Sequence, residues 1–142
     1  MYRFFTVTLI TLLTAACTSA PQPPVAGESL PACGSFPNCV NSENGQGSAS
    51  IAPIAATPTQ WQALKDWLAN RPDWSVETVQ PNFLQAVATT PTMGYKDDVQ
   101  LRYDASAQQV HVRSSSRLGI GDMGANRARV EQLRNHVSAQ PR

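Results

Sequence analysis

Asp98-Val99-Gln100-Leu101-Arg102-Tyr103-Asp104, then Ala105-Ser106-Ala107-Gln108, then Val110-His111-Val112-Arg113: the fold is decided in this stretch. Successive side chains of a strand point to opposite faces, so Val99, Leu101 and Tyr103 fall on one side and Gln100 and Arg102 on the other. The segment from Asp104 to Gln108 supplies a turn. Val110 and Val112 then continue the apolar side while His111 and Arg113 lie opposite, which makes the two runs an antiparallel hairpin. A hairpin that is apolar on one face needs cover on that face only.

Upstream, Trp74 to Thr78 alternates as a strand, Pro81-Asn82 turns the chain, and Phe83 to Thr90 returns before a loop reaching Asp97. A short strand is predicted over Ile51 to Ile54. Thr57-Pro58-Thr59-Gln60 then reads as a capping box with proline in the first helical turn. Trp61, Leu64, Trp67 and Leu68 share one face of that helix, and Asn70-Arg71-Pro72 stops it because proline cannot continue the ladder. Downstream of Leu118-Gly119-Ile120-Gly121, Asp122 is the predicted cap of a second amphipathic helix running to about Val137, with Asn126, Val130, Leu133 and Val137 in one stripe. The predicted order is β-α-β-β-β-β-α. This is an α+β domain with an antiparallel sheet of about five strands and two helices on one face, enclosing one modest core without internal repeats.

The N-terminus reads as an address. Met1-Tyr2-Arg3 is a positive start, Phe4 to Leu13 is an apolar run, and Ala15-Ala16 precede Cys17, which together form a secretory signal peptide over residues 1–16. An apolar run of about ten residues is too short to cross a bilayer, which needs ~20 helical residues. Leu13-Thr14-Ala15-Ala16-Cys17 resembles a lipobox, with Thr14 where leucine is usual, so the chain looks like a bacterial lipoprotein acylated on Cys17; an ordinary signal peptide cleaved near Ala16 or Ala20 is the other reading. Residues 17–32 are a Pro-rich tether, and residues 33–142 the domain. Three acyl chains exceed the two-signal threshold for stable anchoring, so the membrane is an expected partner through Cys17. In lipoproteins resembling those of enteric bacteria, the residue after the cysteine directs sorting. Thr18 is not the aspartate that retains a protein in the inner membrane, so the expected location is the outer membrane, facing the periplasm.

Composition excludes several functions. A formal net charge of +1 argues against a nucleic-acid partner. No haem, P-loop, dinucleotide or metalloprotease motif is present, so no cofactor is expected. Only 15% of residues are charged, below the ~25% typical of soluble domains, yet the apolar content is too high for disorder. Three cysteines are odd in number, but with Cys17 lipidated the remaining Cys33 and Cys39 pair as an expected disulfide across the turn-rich Gly-Ser-Phe-Pro-Asn. A metal site is the rival reading, but Cys-x₅-Cys lacks zinc-module spacing and His111 and His136 are distant in sequence.

Pro37-Asn38-Cys39-Val40-Asn41-Ser42, Asp97 to Arg102, Val112 to Gly119 and Asp122 to Arg134 together resemble the bacterial and plastid domain-of-unknown-function family numbered 1499, over roughly Cys33 to Val137. Asn41, Ser115 and Gln100 stand where that pattern has serine, alanine and glutamate. The resemblance implies an element order similar to TATA-binding-like folds, a likeness that carries no functional warrant, and it implies no assigned activity.

The charge is asymmetric. Residues 17–101 carry three basic and seven acidic side chains, residues 102–142 seven basic and three acidic. Arg113, Ser115, Arg117, Gly119, Gly121 and Arg127 form the candidate anion-binding segment: glycines admit close approach, helix-start N–H groups are unpaired, and arginine forks fit carboxylate or phosphate. The alternative is that these arginines pair with Asp97, Asp98, Asp122 and Glu131 and stitch the last helix to the sheet, Arg127 and Glu131 being spaced as an i,i+4 pair. Adjacent Asp97 and Asp98 point to opposite sides of a strand and so cannot share a metal. The expected function is a non-enzymatic envelope module binding a small anionic ligand, lipid headgroup or protein partner. An enzyme of unassigned reaction using His111, Arg113 and Ser114 to Ser116 is the alternative, though no nucleophile elbow is present.

Overall fold

The computed structural model describes residues 27–142; the expected signal peptide, Cys17 and most of the expected tether lie outside the described residues. Six strands and two helices form β1 (Cys39–Asn41), β2 (Ile54–Ala55), α1 (Pro58–Ala69), β3 (Trp74–Gln80), β4 (Phe83–Thr89), β5 (Lys96–Asp104), β6 (Gln109–Ser116) and α2 (Ala125–Ser138). The sheet is antiparallel in the order β1-β6-β5-β4-β3, with β2 pairing the other half of β6. The α+β order is the predicted one with an added strand, β1.

The predicted hairpin forms as β5 and β6, with Leu101 opposite Val112 and Tyr103 opposite Val110. Asp104 accepts hydrogen bonds from the Ser106 and Ala107 N–H groups and so closes the turn. The predicted strand over Ile51 to Ile54 shrinks to Ile54–Ala55. Pro53 has no N–H to give a ladder, and the Ile51 N–H is taken by the Asn41 carbonyl instead.

Helix α1 begins with both halves of the capping box, Gln60 N–H to Thr57 Oγ1 at 3.3 Å and Thr57 N–H to Gln60 Oε1 at 2.9 Å. Its Trp61, Leu64 and Leu68 are buried against the sheet face that carries Val99, Leu101 and Val110, together with Val130, Leu133 and Val137 of α2. Trp61 stacks on Tyr103 at 5.6 Å, and the half-buried Trp67 stacks on His136 at 4.0 Å, which ties α1 to α2. Leu84, Ala86 and Ala88 of β4 complete the floor; the two alanines leave room for the larger side chains above them. No helix among the described residues is long and apolar enough to cross a membrane.

Candidate functional site

The opposite face of the sheet is polar and, over much of its area, buried. Register places Asn41 of β1 beside Arg113 of β6, Arg113 beside Gln100 of β5, and Gln100 beside Gln85 of β4, so three amides and one guanidinium form a row across four strands. Asn41, Gln85 and Gln100 are buried. The Gln100 Nε2 donates to Gln85 Oε1 at 3.0 Å, which leaves Gln100 Oε1 without a partner. Asn41 is committed to the chain that crosses above it, donating to the Pro31 carbonyl and accepting from the Glu43 N–H, both at 2.8 Å. Arg113 is half-buried, its Nε is enclosed, and its guanidinium makes no hydrogen bond among the described residues. Burial lowers its pKa below the usual arginine value, and Asp98 offsets that only in part.

Asp98 is already engaged. Arg117 grips it through Nε at 3.0 and 3.1 Å and Nη2 at 2.7 Å, with Glu77 at 4.0 Å from the same guanidinium. That fork raises the Arg117 pKa, chiefly through the hydrogen bond to Asp98. On the other flank Arg102 pairs with Glu43, whose second oxygen accepts from the Leu30 N–H. His111 places Nδ1 at 3.9 Å from Glu43, and its pKa is lowered, first by burial and next, against the pull of Glu43, by Arg102. Cys33 and Cys39 are joined by a disulfide, which closes the segment before β1.

The six predicted binding residues occupy three places. Arg113, Ser115 and Arg117 lie on the polar face. Gly119 and Gly121 line a cavity of about 520 Å³ at the end of the sheet, together with Tyr95, Leu118 and Met123. Gly119 has φ of +90° and its carbonyl accepts from Asn38 Nδ2 at 2.8 Å. Arg127 is on the helical layer, donating to the carbonyls of Ser48 at 2.8 Å and Ser50 at 3.0 Å, while Glu131 pairs with Arg134; the i,i+4 pair of Arg127 with Glu131 does not form. The start of α2 is filled by the protein's own anion. The Asp122 carboxylate accepts from the N–H groups of Gly124 at 2.9 Å and Asn126 at 3.0 Å, and these bonds hold its pKa low against its burial.

The same alternation separates the groups of the enzymatic alternative. Ser114 and Ser116 turn to the helical side, where Ser114 meets Asn126 at 2.6 Å. Ser115 shares the His111 face but stands four residues along the strand, about 13 Å away. No hydroxyl of this run therefore sits within proton-transfer reach of His111. Asp97 and Asp98 diverge as expected: Asp97 faces α2 and binds Arg129 at 2.5 Å, Asp98 faces Arg117. Among the described residues no group of three or more His, Cys, Asp or Glu is placed to hold a metal ion.

Two features of the site are absent from the sequence reading, the amide row and the bonding of Asn126. Asn126 was legible as a polar residue in an apolar stripe, and that is its signal. Gln100 was placed on the polar side, but its match to Arg113 and Gln85 is a fact of register across strands.

The motifs that build this face lie inside a matched family. The model for proteins of unknown function, DUF1499, matches residues 29–137. The chain belongs to this family. No curated protein and no solved structure matches it. The DUF1499 match begins one residue before Leu30, so it includes the crossing segment as well as the sheet and both helices.

Proposed function

We propose that this DUF1499 chain is a non-enzymatic binding module of the cell envelope, which holds a carboxylate or phosphate on Arg113 and is fixed to the outer membrane by acyl chains on Cys17. The observation that carries the reading is the half-buried guanidinium of Arg113, which makes no hydrogen bond among the described residues. Leaving a buried polar group unpaired costs about 1–3 kcal/mol, more when it is charged, and an anion meeting the outer guanidinium nitrogens offsets that cost. The other two arginines of the segment are spent on Asp98 and on backbone carbonyls, so an anion has one specific cation to meet. The ligand is expected to be small or to present a single acidic group, because Asn41 and the segment around Leu30 narrow the approach. The anchor follows from the short apolar run and the two alanines before Cys17.

Thermal unfolding of membrane-purified protein with inorganic phosphate, citrate and glycerol 1-phosphate tests the site. Wild-type protein is stabilised by at least one of these, and Arg113→Ala abolishes the shift without lowering the unliganded melting temperature. Arg117→Ala behaves oppositely, destabilising the free protein by leaving Asp98 unpaired. Absence of any shift across the three anions overturns the site. Intact mass of the same material tests the anchor: a chain starting at Cys17 with three acyl groups is expected, and one starting at Thr18 or later refutes it.

A further inference from the structure

The exposed large apolar side chains of the described residues are concentrated. Val79 lies alone on β3, while Phe36, Met93, Tyr95, Leu118, Ile120 and Met123 all belong to three loops at one end of the sheet. Those loops precede β1, join β4 to β5, and follow β6. They are held together, since Asn38 bonds Gly119 and the Arg117 N–H bonds the Lys96 carbonyl. Leu118 is 64% exposed, Ile120 74% and Met123 fully exposed, so their side chains project from the loops although Leu118 and Met123 also border the cavity at this end. The backbone presents them: Gly119 and Met123 both adopt positive φ, which turns the chain outward between the apolar residues.

We infer that this end of the domain inserts its loop tips into the interfacial layer of a lipid bilayer. Charge is complementary to that occupant. Carboxylates at this end are engaged, Asp73 by Arg71, Asp97 by Arg129, Asp98 by Arg117 and Asp122 by the N–H groups of α2, while Lys96 is exposed. Headgroups therefore meet a cation and no free acid. Tyr95, half exposed beside the tips, suits the headgroup level, where amphipathic rings concentrate. Protruding aliphatic tips bind membranes through the apolar area they bury there.

The reach of the chain allows it. Gly27 lines a cavity with Pro81, Asn82 and Ala105, so the chain enters the domain at the end opposite the tips. The ten residues from Cys17 to Ala26 span at most about 33–36 Å. The nine-residue β5, which joins the far turn to the loop end, measures about 30 Å. A chain anchored at Cys17 is thus long enough to lay the domain alongside the bilayer with its tips at the surface. This proximity rests on the anchor proposed at Cys17, whereas the insertion of the tips rests on their exposure and on the charge around them. Tethering raises the effective concentration of the membrane around the domain, so even weak insertion is occupied.

The test uses the membrane-purified full chain in phosphatidylethanolamine–phosphatidylglycerol vesicles, with Ile120→Cys carrying a nitroxide and Ser106→Cys, on the far β5–β6 turn, as control. Flotation with the vesicles reports the anchor, and label accessibility to an aqueous nickel chelate reports the tips. About tenfold lower accessibility at position 120 than at 106 is expected, and Leu118→Ser/Met123→Ser should return it to the control value. Equal accessibility in a chain that floats overturns the tips alone, and a chain that does not float overturns both readings. Protection accompanied by spin–spin broadening, relieved by dilution with unlabelled chain, assigns the surface to a second copy and overturns the bilayer.

Discussion

Replacing Asn126 by alanine should be among the most damaging single changes on α2, although the helix itself prefers alanine. The side chain is fully buried and makes five hydrogen bonds. Its amide nitrogen donates to the Asn38 carbonyl, Ser116 Oγ and Asp122 Oδ2, and its oxygen accepts from Ser114 Oγ and Arg129 Nη1 at 2.6 and 2.8 Å. Some partners keep other contacts. The Asn38 carbonyl still accepts from the Ser116 N–H, Asp122 still caps the helix, and Arg129 still holds Asp97. The buried Ser114 hydroxyl, however, loses its acceptor, at about 2 kcal/mol, and the lost bond to Ser116 Oγ adds about 1 kcal/mol. The sum is about 3 kcal/mol, or about 10–20 °C in Tm for a domain of this size. Urea unfolding followed by tryptophan fluorescence measures it, with Asn135→Ala, one exposed position on the same helix, as the control that should move by less than about 0.5 kcal/mol. A midpoint for Asn126→Ala within 1 kcal/mol of wild type at unchanged m-value would refute the view that this side chain clips β1, β6 and α2 together.

Removing the disulfide with Cys33→Ser/Cys39→Ser should lower stability by about 2 kcal/mol, the loop-closure value for a sequence separation of six; the urea midpoint checks it, and an unchanged midpoint contradicts it. The two histidines set a pH response: burial lowers the pKa of both His111 and His136 below the unfolded value of 6.5, so the unfolded chain takes up protons first. Stability is therefore full above about pH 6.5 and falls as pH drops from there toward the folded values, and His136→Phe, which keeps the stack on Trp67, should flatten the fall between pH 7.5 and 5.5. A midpoint that stays level or rises over that interval in wild-type protein contradicts the sign.

The parts of the fold legible in the sequence are those with a strong local period. Val99, Leu101 and Tyr103 alternate without interruption, Thr57 and Gln60 close a cap within one turn, and Val130, Leu133 and Val137 recur at helical spacing; each lies on the buried side assigned to it. β1 was missed because three residues carry no period, and Cys39 to Asn41 become a strand only by pairing with Arg113 to Ser115. The site was legible in composition but not in assembly. Arg113, Ser115 and Arg117 share a face as alternation requires, yet Arg127 is carried to the helical layer, and the N–H groups of the helix start are met by Asp122, two residues before Gly124. Which arginine would be left without a carboxylate depended on register, since Asp97 and Asp98 go to Arg129 and Arg117 across different layers.

The bulge in β3 has a consequence for how this chain tolerates its own company. β3 has a strand neighbour on one side only, and its register with β4 shifts between Val76 and Thr78. The extra residue, Glu77, is aimed at Arg117 rather than along the alternating pattern. A straight outer strand would offer a row of backbone groups on which another molecule could stack edge to edge. Here the row is interrupted mid-strand and carries an acidic side chain at the break, so a second β3 finds no matching ladder beyond two or three residues. The opposite rim is divided between β1 and β2, three and two residues long. Both rims of the sheet are therefore poor templates for edge-to-edge polymerisation.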